Sequence, residues 1–280
     1  FKMKFWNIGG EGQILMGAFA ATYIALFVDW IPKYLVLPVM FIVGFLAGGI
    51  WGLIPAFFKA KFGANETIMT LMLNYIAVQW ITYLQYGPWR DPELKGFAKI
   101  ANFPDHALLP KVMGIHIGFY ISLILVAVLT WFLRKTKRGF EIAVVGESVS
   151  TARYAGMDIS RIIMSTMLLS GGLCGLTGVV QAAGVTKTLT MNVSSGYGFT
   201  AVITTYLSGL SAPRVLVVSF LFAILLQGGS YIQSALQIPQ AAAEVLQGMI
   251  LFCALGSEFF TRYKVRFARK NSVSSEVKQS

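Results

Sequence analysis

Long apolar runs, broken by short polar or basic stretches, take up most of the chain. Eight runs reach or nearly reach the ~20 residues that a helix needs to cross hydrocarbon. They cover 13–28, 34–58, 67–86, 112–133, 162–183, 199–211, 215–231 and 241–260. Continuous apolarity excludes the period-2 strands of a membrane barrel. The pattern therefore predicts an all-α polytopic membrane protein with about 8 transmembrane helices in this chain. The run 199–211 is short for a span and follows the Gly/Ser-rich stretch 192–198. That is the pattern of a half-helix with an irregular lead-in, tolerated at membrane depth only beside protein or a water-filled cavity.

Composition agrees with the pattern. Hydrophobic residues make up 56% of the chain and charged residues 12%, against about 25% charged in a soluble domain. The 28 glycines suit close helix packing in lipid. The net charge of +11 lies in the gaps between apolar runs, so membrane topology explains it better than a nucleic-acid partner. Cys174 and Cys253 both lie in apolar stretches and read as buried free thiols. The residue pattern at the chain's start predicts no cleavable signal peptide.

The basic gaps orient the runs. Arg134, Lys135, Lys137 and Arg138 follow the fourth run, and Arg262, Lys264, Arg266, Arg269 and Lys270 follow the eighth. Both positions are cytoplasmic by the positive-inside rule. The four runs between them make the count self-consistent. Segment 59–61 and Arg214 then fall inside, 87–111 falls outside, and both ends of the chain are cytoplasmic. The tail 261–280 is basic, and its polar end favours disorder.

Three constellations carry candidate chemistry. The first is 5–13, FWNIGGEGQ, where Asn7, Glu11 and Gln13 stand with three glycines against an apolar run. It reads either as a broken helix whose N-terminal amides face a polar group or as an ordinary cytoplasmic turn and cap. It is no P-loop, since the Lys-Ser/Thr ending is absent. The second is 65–75, NETIMTLMLNY. Asn65 caps a helix and Glu66 complements its dipole. Asn74 and Tyr75 lie about two turns deeper, where a polar amide needs a partner helix, water or substrate. Interhelical glue and substrate contact both satisfy that need. The third is the loop 134–161, with helical character over 147–155. Val149, Ala152 and Ala155 line one face there and Arg153 another. Such a helix either docks a soluble partner or lies on headgroups.

No run carries a charged pair at its centre, which argues against an ion-coupled secondary transporter or channel. A Walker A sequence, HExxH and GxSxG are all absent, so a membrane enzyme has no visible catalytic set. No metal site is predicted.

Together, NIGGEGQILMGA, NETIMTLMLNYIA and AVVGESVSTARYAGM resemble the permease subunits of bacterial ABC importers of the simple-sugar and nucleoside branch. The first two motifs are closest to its nucleoside members. The likeness covers about 6–260. It implies a permease domain over 1–260, with 134–161 as a cytoplasmic docking loop, in the bacterial plasma membrane. It also implies about ten helices in two inverted halves around a central path, so that the first two helices precede this sequence. The implied partners are a cytoplasmic ATP-binding subunit, a second permease, identical or similar, and an extracellular substrate-binding protein or lipoprotein. ATP and Mg belong to the ATPase, and no cofactor is bound by this chain. Gly146, Glu147, Ala152, Arg153, Tyr154 and Gly156 would dock the ATPase. Family members commonly carry Asn where this chain has Glu147, which changes the local charge. The expected substrate path is Asn7, Glu11, Gln13, Asn74 and Tyr75, a mostly neutral lining suited to a nucleoside. A simple sugar such as ribose, or a branched-chain amino acid, is the alternative cargo.

Overall fold

The computed structural model describes residues 1–92 and 98–236, with Ala241, Val245, Gly248, Met249, Phe252 and Cys253 beyond them. The described residues are mainly helical: α1 (Gly10–Phe27), α2 (Lys33–Phe62), α3 (Glu66–Tyr86), α4 (Ile117–Lys135), α5 (Lys137–Glu147), α6 (Val149–Tyr154), α7 (Ile159–Val180), α8 (Tyr197–Leu207) and α9 (Ala212–Leu236). The chain divides into Phe1–Ser219 and Phe220–Ser280. The second unit contributes the remainder of α9 and the six separate positions. Most of the run 241–260 and all of the tail 261–280 lie outside the described residues.

Among the described residues, five helical stretches are long and apolar enough to cross a membrane: Lys33–Phe62, Glu66–Tyr86, Ile117–Lys135, Ile159–Thr186 and Ala212–Tyr231. Their faces carry many exposed large apolar side chains, among them Ile42, Ile50, Ile76, Ile124, Val128 and Val217, as lipid-facing helices do. The first apolar run becomes α1, 18 residues long, with the polar Glu11 and Gln13 in its first turn. The short run at 199–211 becomes α8, only 11 residues long.

Glycine sets the packing of the first unit. Gly17 of α1, Gly44 and Gly48 of α2, and Gly171, Gly175 and Gly178 of α7 form one seam. A Cβ on Gly175 would strike the Gly44 carbonyl, one on Gly178 the Ile14 carbonyl, and one on Gly17 the Gly175 backbone. Small residues at such crossings let backbones approach where lipid supplies no hydrophobic drive between helices. Leu15, Met40, Ala77, Ile81 and Val179 close the core around the seam.

Caps mark the polar gaps. Asn65 Oδ1 accepts from the Thr67 and Ile68 amides at 3.0 and 3.3 Å. Lys59 of α2 reaches Glu66 at 2.7 Å and ties the two helix ends. At the opposite end of the bundle, α7 continues through a π-helical turn, Gln181–Thr186, to Lys187 in the left-handed region. The chain then turns back and buries Leu189 and Val193. Gln85 anchors this return: its Oε1 accepts the Met191 amide at 3.1 Å and its Nε2 donates to the Ala98 carbonyl at 2.9 Å. Thr188 donates to the Ile100 carbonyl at 2.8 Å. The hydroxyl-rich stretch ahead of α8 is thus an irregular lead-in, buried at Val193 and Ser194 and exposed at Asn192, Ser195 and Gly196.

The loop 134–161 differs from the single helix expected over 147–155. It holds two helices, α5 and α6, capped by Thr136 and Ser148, whose hydroxyls accept from the Gly139 and Thr151 amides at 3.1 and 3.2 Å. Ala152 is buried, whereas Val149 and Ala155 are exposed, because a helix of six residues has room to bury one turn only. Cys174 is partly buried and Cys253 exposed, so the expected burial of both thiols fails for the second.

Candidate functional site

The start of α1 lies within the bundle. Asn74 is the ninth residue of α3, about 12 Å along that helix at 1.5 Å per residue, and it meets the first turn of α1. Its Oδ1 accepts the Gly12 amide at 2.8 Å, and its Nδ2 donates to the Ile8 carbonyl at 2.9 Å. A helix leaves its first N–H groups without intrahelical partners. Asn74 supplies one of those partners from another helix. Gly12 makes the approach possible, since a Cβ there would lie 3.0 Å from Asn74 Oδ1.

Asn7, in the irregular lead-in, and Gln13 form a reciprocal amide pair, both hydrogen bonds 3.1 Å long. Asn7 Oδ1 also accepts the Gly9 amide at 3.1 Å, and its Nδ2 reaches Ser170 Oγ of α7 at 3.4 Å. Lead-in, α1, α3 and α7 are therefore joined by neutral side chains.

Glu11 extends the network to α8. Its Oε1 accepts the Gly198 amide at 2.7 Å and the Phe199 amide at 3.4 Å, and the Ser194 side chain also hydrogen-bonds it. A carboxylate in the first turn of one helix thus caps another. The two helix starts touch: a Cβ on Gly198 would lie 2.8 Å from the Gly10 carbonyl carbon. Each start carries roughly half a positive charge from the backbone dipoles, and the single carboxylate between them offsets both.

Asn7, Glu11, Gln13 and Asn74 are all nearly closed to solvent, between 1% and 9% exposed. Tyr75 does not join them. It follows Asn74 by about 100° of helical turn and is 66% exposed. Sequence reasoning did not find Ser170, Ser194 or Gly198 as partners. The Gly/Ser-rich stretch 192–198 was a signal for the last two, whereas nothing distinguished Ser170 from its glycine-rich neighbours.

A second cluster lies below. Met3 and Phe5 of the lead-in are buried with Ile142, Val145, Ala152, Ile162 and Met167. Gly146 lets the lead-in run against α5, because a Cβ there would strike the Lys2 carbonyl. Of the predicted docking residues, Gly146 and Ala152 are buried, while Glu147, Arg153, Tyr154 and Gly156 are exposed. Gly156 turns the chain at φ 73°, and its amide donates to the Arg153 carbonyl at 3.0 Å. Tyr154 is 97% exposed. Among the described residues, no group of acidic, histidine or cysteine side chains is arranged to hold a metal.

A family model described as branched-chain amino acid transport system / permease component matches residues 1–255. The chain is 34% identical to the glucose ABC transporter permease protein of Haloferax volcanii, over 95% of this chain and 73% of that one. It is 31% identical to the guanosine ABC transporter permease protein of Bacillus subtilis, over 95% and 76%. It is 29% identical to the nucleoside ABC transporter permease protein of Lactococcus lactis, over 91% and 73%. No solved structure matches the chain. With five apolar spans among the described residues and a likeness along nearly its whole length, the chain belongs to this family of ABC transporter permease components and is a multi-pass membrane protein.

Proposed function

We propose that the chain moves nucleosides through the membrane by alternating access, as one permease of an ATP-driven importer. The observation that carries the cargo class is the lining of the buried network. It consists of carboxamides, hydroxyls and backbone amides around one carboxylate, and that carboxylate is already committed to the start of α8. Neutral hydrogen-bonding groups suit hydroxyls and a nucleobase, and a phosphorylated cargo would call for Arg or Lys. The guanosine and nucleoside relatives support the same class.

In this reading Asn7, Glu11, Gln13 and Asn74 hold the broken helices in one state of the cycle and exchange partners with substrate in the other. Tyr75 faces the path from the exposed side of α3, toward the second permease. A ligand shifts such an equilibrium only by its differential affinity for the two states. The ATPase, using ATP and Mg, docks on α5 and α6 at Gly146, Glu147, Ala152, Arg153, Tyr154 and Gly156. Motion there reaches the site through the lead-in, since Lys2 abuts Gly146 and Asn7 binds Gln13. The complete permease has about ten helices in two inverted halves. An external binding protein delivers substrate, and both ends of this chain face the cytoplasm of a bacterial cell. The domain division is a permease domain over 1–260 and a basic tail over 261–280.

A simple sugar is the second reading, favoured by the glucose relative at 34% identity. Competition decides between them. Excess unlabelled uridine or adenosine should suppress labelled guanosine uptake by the assembled importer, and excess glucose or ribose should not. Suppression by the sugars instead would assign the chain to sugar transport.

A further inference from the structure

Two cavities share a wall at one end of the bundle. The first, about 310 Å³, is lined mostly by apolar side chains, among them Leu129 of α4, Leu173 of α7 and Val215 of α9, and it runs past the lead-in to Asn7 and Ser170 of the buried network. The second, about 260 Å³, is bounded by Lys2, Arg134, Ser211 and Arg214. Leu133, Leu210 and Ala212 line both, so an apolar slot opens directly into a basic mouth. Arg134 stands in the last turn of α4 and Arg214 in the first turn of α9, both membrane-crossing stretches. The mouth therefore lies where hydrocarbon meets water, and the slot runs inward from it between α4 and α7.

The mouth is built for negative charge. Lys2, Arg134 and Arg214 are exposed, and among the described residues none of them pairs with a carboxylate. Among the described residues, no acidic one lines the mouth. Arg214 is held by the turn before α9, where its Nη2 donates to the Gly209 carbonyl at 3.3 Å. Gly209 has φ 56°, and a Cβ there would lie 3.4 Å from the same nitrogen. The remaining guanidinium N–H groups stay available, and the positive end of the α9 dipole adds to the field.

We propose that this crevice binds an anionic phospholipid, with its headgroup phosphate among Lys2, Arg134 and Arg214 and part of an acyl chain between α4 and α7. The proposal rests on the membrane-spanning reading of α4, α7 and α9. Basic pockets between transmembrane helices at the membrane surface recognise anionic headgroups. The slot selects the source of the anion, because a free phosphate would use the mouth alone while a lipid uses both cavities.

The test measures lipid retained by the assembled permease–ATPase complex. Native mass spectrometry would follow release from nanodiscs of phosphatidylcholine with phosphatidylglycerol. The complex should retain phosphatidylglycerol in preference to phosphatidylcholine. Arg134→Gln with Arg214→Gln should lower that retention roughly tenfold or more, since each cation near an anionic surface contributes about fivefold. Both arginines are exposed, so the variant should fold, and ATPase co-purification checks that it does. Leu129→Trp should fill the slot and lower retention with the charges intact. Inorganic phosphate at millimolar concentration should leave the lipid in place. Equal retention of the two lipids, unchanged retention in the double variant, or displacement by phosphate would each overturn the proposal. The readout is binding, so such a failure leaves the transport reading untouched, and a failure of guanosine uptake leaves this proposal untouched.

Discussion

The Glu11 carboxylate accepts the Gly198 amide at 2.7 Å, which fixes the start of α8 against the start of α1. Removing it leaves amides at a buried helix start without an acceptor, at a cost of about 1–3 kcal/mol. Glu11→Ala should lower the thermal midpoint of the purified complex. Glu11→Gln keeps an acceptor but loses the charge that offsets two dipoles, so it should fall between Ala and the parent. Thermal unfolding of the three proteins side by side checks the ranking, and identical midpoints would contradict the capping role.

Asn74 joins α3 to α1 through both ends of its amide. Asn74→Leu strands the Gly12 amide and the Ile8 carbonyl within the bundle. Uptake should fall at least tenfold, while the ATPase still co-purifies, since α5 and α6 are untouched. Asn74→Asp keeps the acceptor for Gly12 and loses the donor to Ile8, so it should retain more activity than Leu. Loss of ATPase co-purification with Asn74→Leu would place the defect in assembly instead.

The glycine seam has a sharp steric requirement. Gly175→Ala puts a methyl against the Gly44 carbonyl, and overpacking of this kind costs about 1–3 kcal/mol or more. Gly228→Ala, where a Cβ meets nothing within 4 Å among the described residues, is the matched control. Yield of folded protein after detergent extraction should drop for the first and hold for the second. Equal yields would deny the seam its role in packing.

Arg153 and Tyr154 project from α6 with no burial to explain them. Arg153→Glu should abolish ATP-driven uptake while binding of substrate-loaded delivery protein persists. Normal uptake by this variant would remove Arg153 from the docking face.

Much of this was readable from residue order. Five of the eight apolar runs became helices long enough to span among the described residues, and Asn65 and Glu66 announced the start of α3. The glycines of 5–13 and the Gly/Ser stretch at 192–198 marked the starts of α1 and α8. What could not be read was their meeting. Gly10 and Gly198 are far apart in sequence, and only the fold of α1, α7 and α8 brings their backbones together. For the same reason a choice between glue and substrate contact for Asn74 needed its partners in view. The helix α5 was missed because its buried positions, Ile142 and Val145, form too short a stripe among basic and polar neighbours. Tyr75 was grouped with Asn74 by adjacency, yet helical rotation turns the two side chains to different faces.

The energy source and the cargo can be tested together. The complex of permeases, ATPase and delivery protein would be reconstituted in vesicles and supplied with labelled guanosine, with ATP on the ATPase side and ionophores collapsing every ion gradient. The account predicts accumulation against a concentration gradient that stops when ATP is withheld. Accumulation without ATP that disappears with the ionophores would contradict it.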